Sequence, residues 1–244
     1  MIVLKHAKTY EEMSKIAYSF VKEVVTTSPN ATLGLATGST PIGLYKEMIK
    51  DYQAGVVSYK NMLSINLDEY VGLPVEHPES YRSFMNNNLF NHIDIDKANT
   101  NVPNGLAEDI EKACKDYSAF IASHPIDIQI LGIGGNGHIA FNEPGTPFDA
   151  ITHLVELKEK TRQDNARFFD GDINKVPTHA VTMGLKDIMS AKQIILLASG
   201  AGKAEAVRDM VYGKMSPECP ASILQSHPNV IVIVDEAAGY YLKA

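Results

Sequence analysis

The chain has 244 residues, with 22 Lys and Arg against 29 Asp and Glu, a formal net charge of −7, and 45% hydrophobic and 21% charged residues. That composition excludes disordered and fibrous classes, and an acidic chain with no basic block is a poor nucleic-acid binder. Cys114 and Cys219 are too few for a disulfide framework, no apolar run nears the roughly 18 residues of a membrane span, and the N-terminus lacks a signal peptide's organisation, so the expectation is a cytoplasmic protein with no membrane and no nucleic-acid partner.

In chain order, helical periodicity covers residues 10–26, then an apolar strand is expected at 32–36 and a helix at 41–54. A strand at 62–67 precedes helices at 80–90 and 107–123, and a strand at 126–133 follows. After an interruption come strands at 179–183 and 193–198, a helix at 202–212 and a strand at 229–234. Near-continuous apolar strands alternating with helices predict a doubly wound, mostly parallel α/β sheet covered by helices, a modified Rossmann-like domain spanning 1–244. The interruption, about 145–181, is polar, carries Arg162, Arg167, Phe168 and Phe169, and has only a weak strand candidate at 153–157. Such an irregular excursion reads as a lid or binding loop within the domain.

In open α/β sheets ligands bind beyond the carboxyl ends of the strands, so the residues after each apolar run are where chemistry is expected. After the first strand, Thr37-Gly38-Ser39-Thr40-Pro41 combines a tight-turn glycine, hydroxyls and a helix start. It fits either an anion site at a helix N-terminus or a plain capped helix, and without a P-loop Lys it suits one small phosphate. After the second strand, Asp68 and Glu69 alternate faces, so one can point into the crevice as a general base while the other turns away; a plain N-cap or turn residue is the alternative reading. After the third, Gly132, Gly134 and Gly137 match G-x-G-x-x-G, but Asn142-Glu143-Pro144-Gly145 stops any helix, which argues against a dinucleotide. A glycine turn that presents His138, with Glu143 five residues on, reads instead as close substrate approach with an acid–base pair. Lys203 near a helix start and Arg167 in the excursion are either anion ligands or solvated charges. The remaining histidines show no metal-ligand spacing, and Cys219 has no paired base.

At these residues the chain resembles the glucosamine-6-phosphate isomerase/deaminase family in its short, non-allosteric form. The resemblance runs from Leu33 to about Asp235. It is carried by Asn66-Leu67-Asp68-Glu69-Tyr70-Val71-Gly72-Leu73-Pro74, His77-Pro78-Glu79-Ser80-Tyr81, Gly137-His138-Ile139-Ala140-Phe141-Asn142-Glu143-Pro144, Ala166-Arg167-Phe168-Phe169 and Val176-Pro177. The 6-phosphogluconolactonases share the phosphate loop and Gly-His, but typically continue Thr-Ala-Ser-Leu-Phe and lack the Asp68 to Pro74 block.

The resemblance implies conversion of glucosamine 6-phosphate and water to fructose 6-phosphate and ammonia, in amino-sugar catabolism, with no metal and no organic cofactor. It implies that Thr37, Gly38, Ser39, Thr40, Arg167 and Lys203 hold the phosphate. His138 would open the ring, Glu143 would orient His138, and Asp68 would move a proton between C2 and C1. Asn136 joins the catalytic set where many longer members carry Asp, so it stabilises an imidazolium less. The acidic limb of the rate–pH profile is therefore expected to lie lower in the wild type than in Asn136→Asp. His153 and Val155 stand where allosteric members have Arg and Lys, and the chain stops at Ala244. A monomer not activated by N-acetylglucosamine 6-phosphate is expected. Lactone hydrolysis, a sugar-phosphate sensor and nicotinamide-dependent oxidation are the competing readings.

Overall fold

The computed structural model describes residues 2–242; the chain end at Ala244 lies outside them. The elements in order are β1 (Ile2–Ala7), α1 (Tyr10–Thr27), β2 (Thr32–Leu35), α2 (Ile42–Gln53), β3 (Leu63–Asn66), β4 (Asp68–Tyr70), α3 (Tyr81–Met85), β5 (Thr100–Asn101), α4 (Ile110–Ser123), β6 (Ile128–Leu131), β7 (His153–Glu156), α5 (Glu159–Asn165), β8 (His179–Thr182), α6 (Leu185–Ile188), β9 (Ile194–Ala198), α7 (Ala204–Tyr212) and β10 (Val230–Asp235). Seven strands form one sheet in the order β1-β10-β9-β6-β2-β3-β5, every pair parallel. The mostly parallel, doubly wound α/β architecture is as expected. The central strands β2, β6 and β9 are buried along their whole length, which is why they read as unbroken apolar runs.

The strand order reverses between β2 and β6. From β2 the chain steps outward to β3 and β5, then returns to β6 and continues through β9 and β10. The connections through α1 and α2 step one way along the sheet and those through α4 and α7 step back the other way, and α1 packs against α2. The crevice at such a reversal is where an α/β sheet takes its ligand.

Three expectations change. β1 pairs with β10 at the sheet edge but was not expected as a strand. One face lies open, Val3 is 46% exposed, and Lys5 and His6 interrupt the apolar pattern. The run at 179–183 does form a strand, β8, but not in the parallel sheet. It lies between β4 and β7 in a second, antiparallel three-stranded sheet, with Asp68 opposite Thr182 and His153 opposite Thr182 from the other side. The excursion therefore ends where β8 begins, and its weak strand candidate is real as β7. Finally, the expected helix at 80–90 is a short α3 that continues as a π-helical turn over Asn86–Phe90.

The main core surrounds the large sheet. The excursion has a smaller core of its own, Tyr70, Phe141, Leu157, Ala166, Phe169, Val176 and Ala180. Phe169 meets Tyr70 edge-on with ring centroids 5.8 Å apart. Burying an aromatic side chain stabilises by roughly 1.5–3 kcal/mol, so the excursion is seated on the second sheet by packing of its own. Among the described residues, no helix is long and apolar enough to cross a membrane.

Candidate active site

The carboxyl ends of β2, β3, β6 and β9 open onto one cavity of ≈ 540 Å³, a usual size for a small-molecule site. Its lining includes Thr37, Gly38, Ser39, Thr40, Asp68, His138, Arg167 and Lys203. Tertiary structure thus gathers eight of the ten residues singled out from sequence. Asn136 and Glu143 stand directly behind His138.

The loop after β2 turns at Gly38, whose φ of +89° suits glycine. Tyr10, at the start of α1, braces it from behind. The hydroxyl lies 3.0 Å from the carbonyl oxygens of Ser39 and Thr40, and accepts from the Gly43 N–H at 2.8 Å. Among the described residues, the N–H groups of Gly38, Ser39 and Thr40 and the hydroxyls of Thr37, Ser39 and Thr40 make no hydrogen bond to the protein. Donors free and converging ahead of α2 are an anion's requirement. Lys203 enters from the turn between β9 and α7, which Asp235 secures by accepting from Ser199 Oγ at 2.5 Å and from the Gly200 N–H. Burial holds the Lys203 ammonium below its ordinary pKa, with Arg167 acting in the same direction and Asp164 opposing. Arg167 follows α5 and stacks its guanidinium 4.7 Å from the centre of the Phe168 ring.

Asp68 and Glu69 part as alternation requires. Asp68 points into the cavity and is 6% exposed. Burial first, and the neighbouring Glu69 carboxylate second, push its pKa up to about 8. Glu69 turns away and accepts from the N–H groups of Tyr70, Tyr81 and Arg82 at 2.8, 2.9 and 2.9 Å, which secures the start of α3.

His138 sits in a loop closed by Gly137 N–H to Gly134 O at 3.0 Å and Gly134 N–H to His138 O at 2.9 Å. Gly132, Gly134 and Gly135 line the cavity, as close substrate approach requires, and two of the glycines also make room for neighbouring side chains. A Cβ on Gly134 would fall within the imidazole ring, and one on Gly137, whose φ is +84°, would come 2.7 Å from Cys219 Sγ. His138 Nδ1 lies 2.7 Å from Asn136 Oδ1, and Asn136 Nδ2 donates to Glu143 Oε2 at 2.8 Å. Because the carboxylate only accepts, the amide orientation is settled: Oδ1 accepts from Nδ1–H, leaving Nε2 as the basic nitrogen. Glu143 reaches His138 through an intermediary. Its Oε1 stands 3.8 Å from Nδ1, beyond hydrogen-bond length, and Asn136 carries the link. Burial holds His138 below its ordinary pKa, against the pull of Glu143.

Glu143 is returned to this point by a tight turn. Ala140 adopts φ +52°, and Asn142 Nδ2 donates to Ile139 O at 3.0 Å and Met183 O at 2.9 Å. Sequence reading did not single out Tyr70, Tyr81, Phe141, Thr161, Asp164 or Asn165, all of which line the cavity. Tyr70 and Tyr81 lie within the blocks that carry the resemblance, which was the available signal. Thr161, Asp164 and Asn165 had none, being polar residues in a segment without clear periodicity. Among the described residues, no cluster of three or more His, Cys, Asp or Glu could hold a metal ion.

Fold and cavity together define a doubly wound α/β protein with a polar, substrate-sized cleft at its topological switch point. The chain belongs to the family of glucosamine-6-phosphate isomerases and 6-phosphogluconolactonases, whose profile matches residues 5–232. It is 56% identical over 237 residues to a glucosamine-6-phosphate deaminase of Clostridium perfringens, covering 97% of this chain and 98% of that one. It is 52% identical over 231 residues to one from Bacillus cereus, covering 95% and 86%. A solved monomeric glucosamine-6-phosphate deaminase superposes with TM-score 0.95 at 46% identity, covering 98% of this chain and 99% of that one. The 6-phosphogluconolactonase of Trypanosoma brucei shares the fold, with TM-score 0.82 at 19% identity, covering 100% and 99%.

Proposed function

We propose that the chain is an aldose–ketose isomerase and deaminase that converts glucosamine 6-phosphate and water to fructose 6-phosphate and ammonia. The observation that carries this reading is that a buried carboxyl near neutrality, Asp68, and a basic imidazole nitrogen, on His138, face the same cavity as an unengaged anion loop. Relatives more than half identical over nearly the whole chain bear the deaminase name.

The phosphate seats on Thr37 to Thr40, with Lys203 from the frame and Arg167 from the 145–181 excursion, which acts as a lid within a single domain. His138 Nε2 takes the proton of the anomeric hydroxyl and delivers one to the ring oxygen, opening the pyranose. Asp68, ionised, removes the proton at C2 to give the enolamine and returns it to C1. Water then adds at C2 of the resulting imine, and ammonia leaves. Each general acid–base step contributes about 10²–10⁴, and a pKa near 8 sits close to the working range of such a base. The deamination is thus hydrolytic, and the enzyme works as a cytoplasmic monomer.

The test is to assay release of both products from glucosamine 6-phosphate without added cofactor, with Asp68→Asn alongside. Fructose 6-phosphate and ammonia from the wild type, with turnover reduced at least about 10²-fold in the variant, is the expected result. No turnover, with 6-phosphogluconolactone hydrolysed instead, overturns the reading.

A further inference from the structure

Glu143 is held from two sides, and one of them is the excursion. Asn136 Nδ2 donates to Oε2 at 2.8 Å, while Thr161 Oγ1, on α5, donates to Oε1 at 2.6 Å. Thr161 is buried, at 8% exposure. Oε1 is also the oxygen that faces His138, and it stands 3.8 Å from Nδ1, roughly 1 Å too far for a hydrogen bond. One turn further along α5, Asn165 Nδ2 donates to the Tyr70 hydroxyl at 2.9 Å. The inner face of α5 therefore grips the frame at two polar points, and the first of them is the carboxylate behind the imidazole.

We propose that Thr161 is a positioning residue: its hydroxyl anchors Glu143 Oε1 so that the carboxylate reaches His138 only through Asn136, and the state of the imidazole answers to the seating of α5. The proposal rests on the reading of His138 as the acid–base group. The charged groups around the ring come from each side. Glu143 and Asp164 favour the imidazolium, whereas burial, the largest influence, and Lys203 and Lys158 oppose it. Asp164 belongs to α5 and Lys158 precedes it.

Removing the hydroxyl frees Oε1 with nothing else to engage. A small side-chain rotation then lets it share the Nδ1–H that Asn136 Oδ1 now accepts alone, the imidazolium gains a direct ion pair, and protonation becomes easier. A helix that merely came loose would instead carry Asp164 and Lys158 away together, charges of opposite sign whose effects offset.

The experiment is an NMR titration of the His138 ring without substrate, its signal assigned by loss in His138→Gln. It compares wild type with Thr161→Val, Thr161→Ala and Thr161→Ser. The two variants without a hydroxyl are expected to move the His138 midpoint up by about half a pH unit, roughly threefold in proton affinity. Ser is expected to restore it. In the assay above, the lower inflection of the acidic limb of kcat/KM, below the one that Asp68 sets, should rise by the same amount, so the loss of activity shows near pH 6. A midpoint unchanged in a folded Val or Ala variant overturns the proposal, as does a shift that Ser shares fully. Because the titration needs no turnover, failure of the deaminase assay and failure of this proposal are separate results.

Discussion

Asp68 meets two demands that conflict at neutral pH: a base must be ionised, and a buried carboxyl resists ionisation. Burial and Glu69 place its pKa at about 8, against roughly 3.9 for an unfolded Asp. Between those values the folded chain binds more protons than the unfolded one, so stability falls as pH rises through that window and the full penalty is present above it. Asp68→Asn removes the penalty. The variant should lose turnover yet be more stable than wild type near pH 8, by up to about 5 kcal/mol. That advantage should shrink as pH falls toward about 4. Urea unfolding at about pH 5, 7 and 8 reads it directly, and a difference that stays constant with pH contradicts the argument. Asn136 shows a related economy of one residue. Its amide accepts from His138 and donates to Glu143 at once, which an Asp could do only by keeping a proton.

At the scale of elements, short segments are held by side chains rather than by propensity. α3 is only five residues long, too short to persist alone. Glu69 bonds its first N–H groups, and Ser80 Oγ accepts from Ser83 N–H at 3.0 Å. This fixes Tyr81 in the cavity wall, its ring 4.8 Å from that of Tyr70. Glu69→Ala should destabilise the protein by roughly 1–3 kcal/mol and raise KM by displacing Tyr81, whereas Glu69→Gln, which keeps an acceptor, should cost less. Thermal unfolding and KM measured on both variants check this; equal losses would mean that charge, not hydrogen bonding, holds α3. The same logic governs the turn before Glu143, where Asn142 compensates the left-handed Ala140. It also governs α5, pinned at Thr161 and Asn165 to residues far away in sequence.

Across the whole molecule, the site exists because strand order reverses between β2 and β6, so that loops separated by about half the chain end beside one another. His153 and Val155, the positions where allosteric members of the family carry a cationic pair, are engaged internally. His153 Nδ1 lies 2.8 Å from Ile151 O, and Val155 packs on the excursion's small core. The enzyme should therefore sediment at the mass of one chain. Its rate should rise hyperbolically with glucosamine 6-phosphate and stay unchanged on adding N-acetylglucosamine 6-phosphate. A sigmoidal curve made hyperbolic by that compound would contradict this.

The sequence by itself determined the parts governed by local pattern. Fully buried strands such as β6 and β9 read as apolar runs, amphipathic helices such as α1 as a repeating face, and the loops after the strands as places for an anion, a base and an imidazole. Their burial makes their composition one-sided, so no partner need be known. Tertiary structure alone decided what depends on long-range pairing. It placed β8 in an antiparallel sheet against β4, because hydrogen-bond partners lie far off in sequence and an apolar run is the same in either sheet. It recruited β1, whose open face blurs its pattern, as an edge strand. It set Asn136 between His138 and Glu143, since neither the turn at Ala140 nor the packing of α5 is written in spacing. And it brought Thr161, polar and unremarked in an irregular segment, onto the carboxylate behind the imidazole, because a hydrogen bond across 18 residues of chain is fixed by the packing of two elements and not by either one.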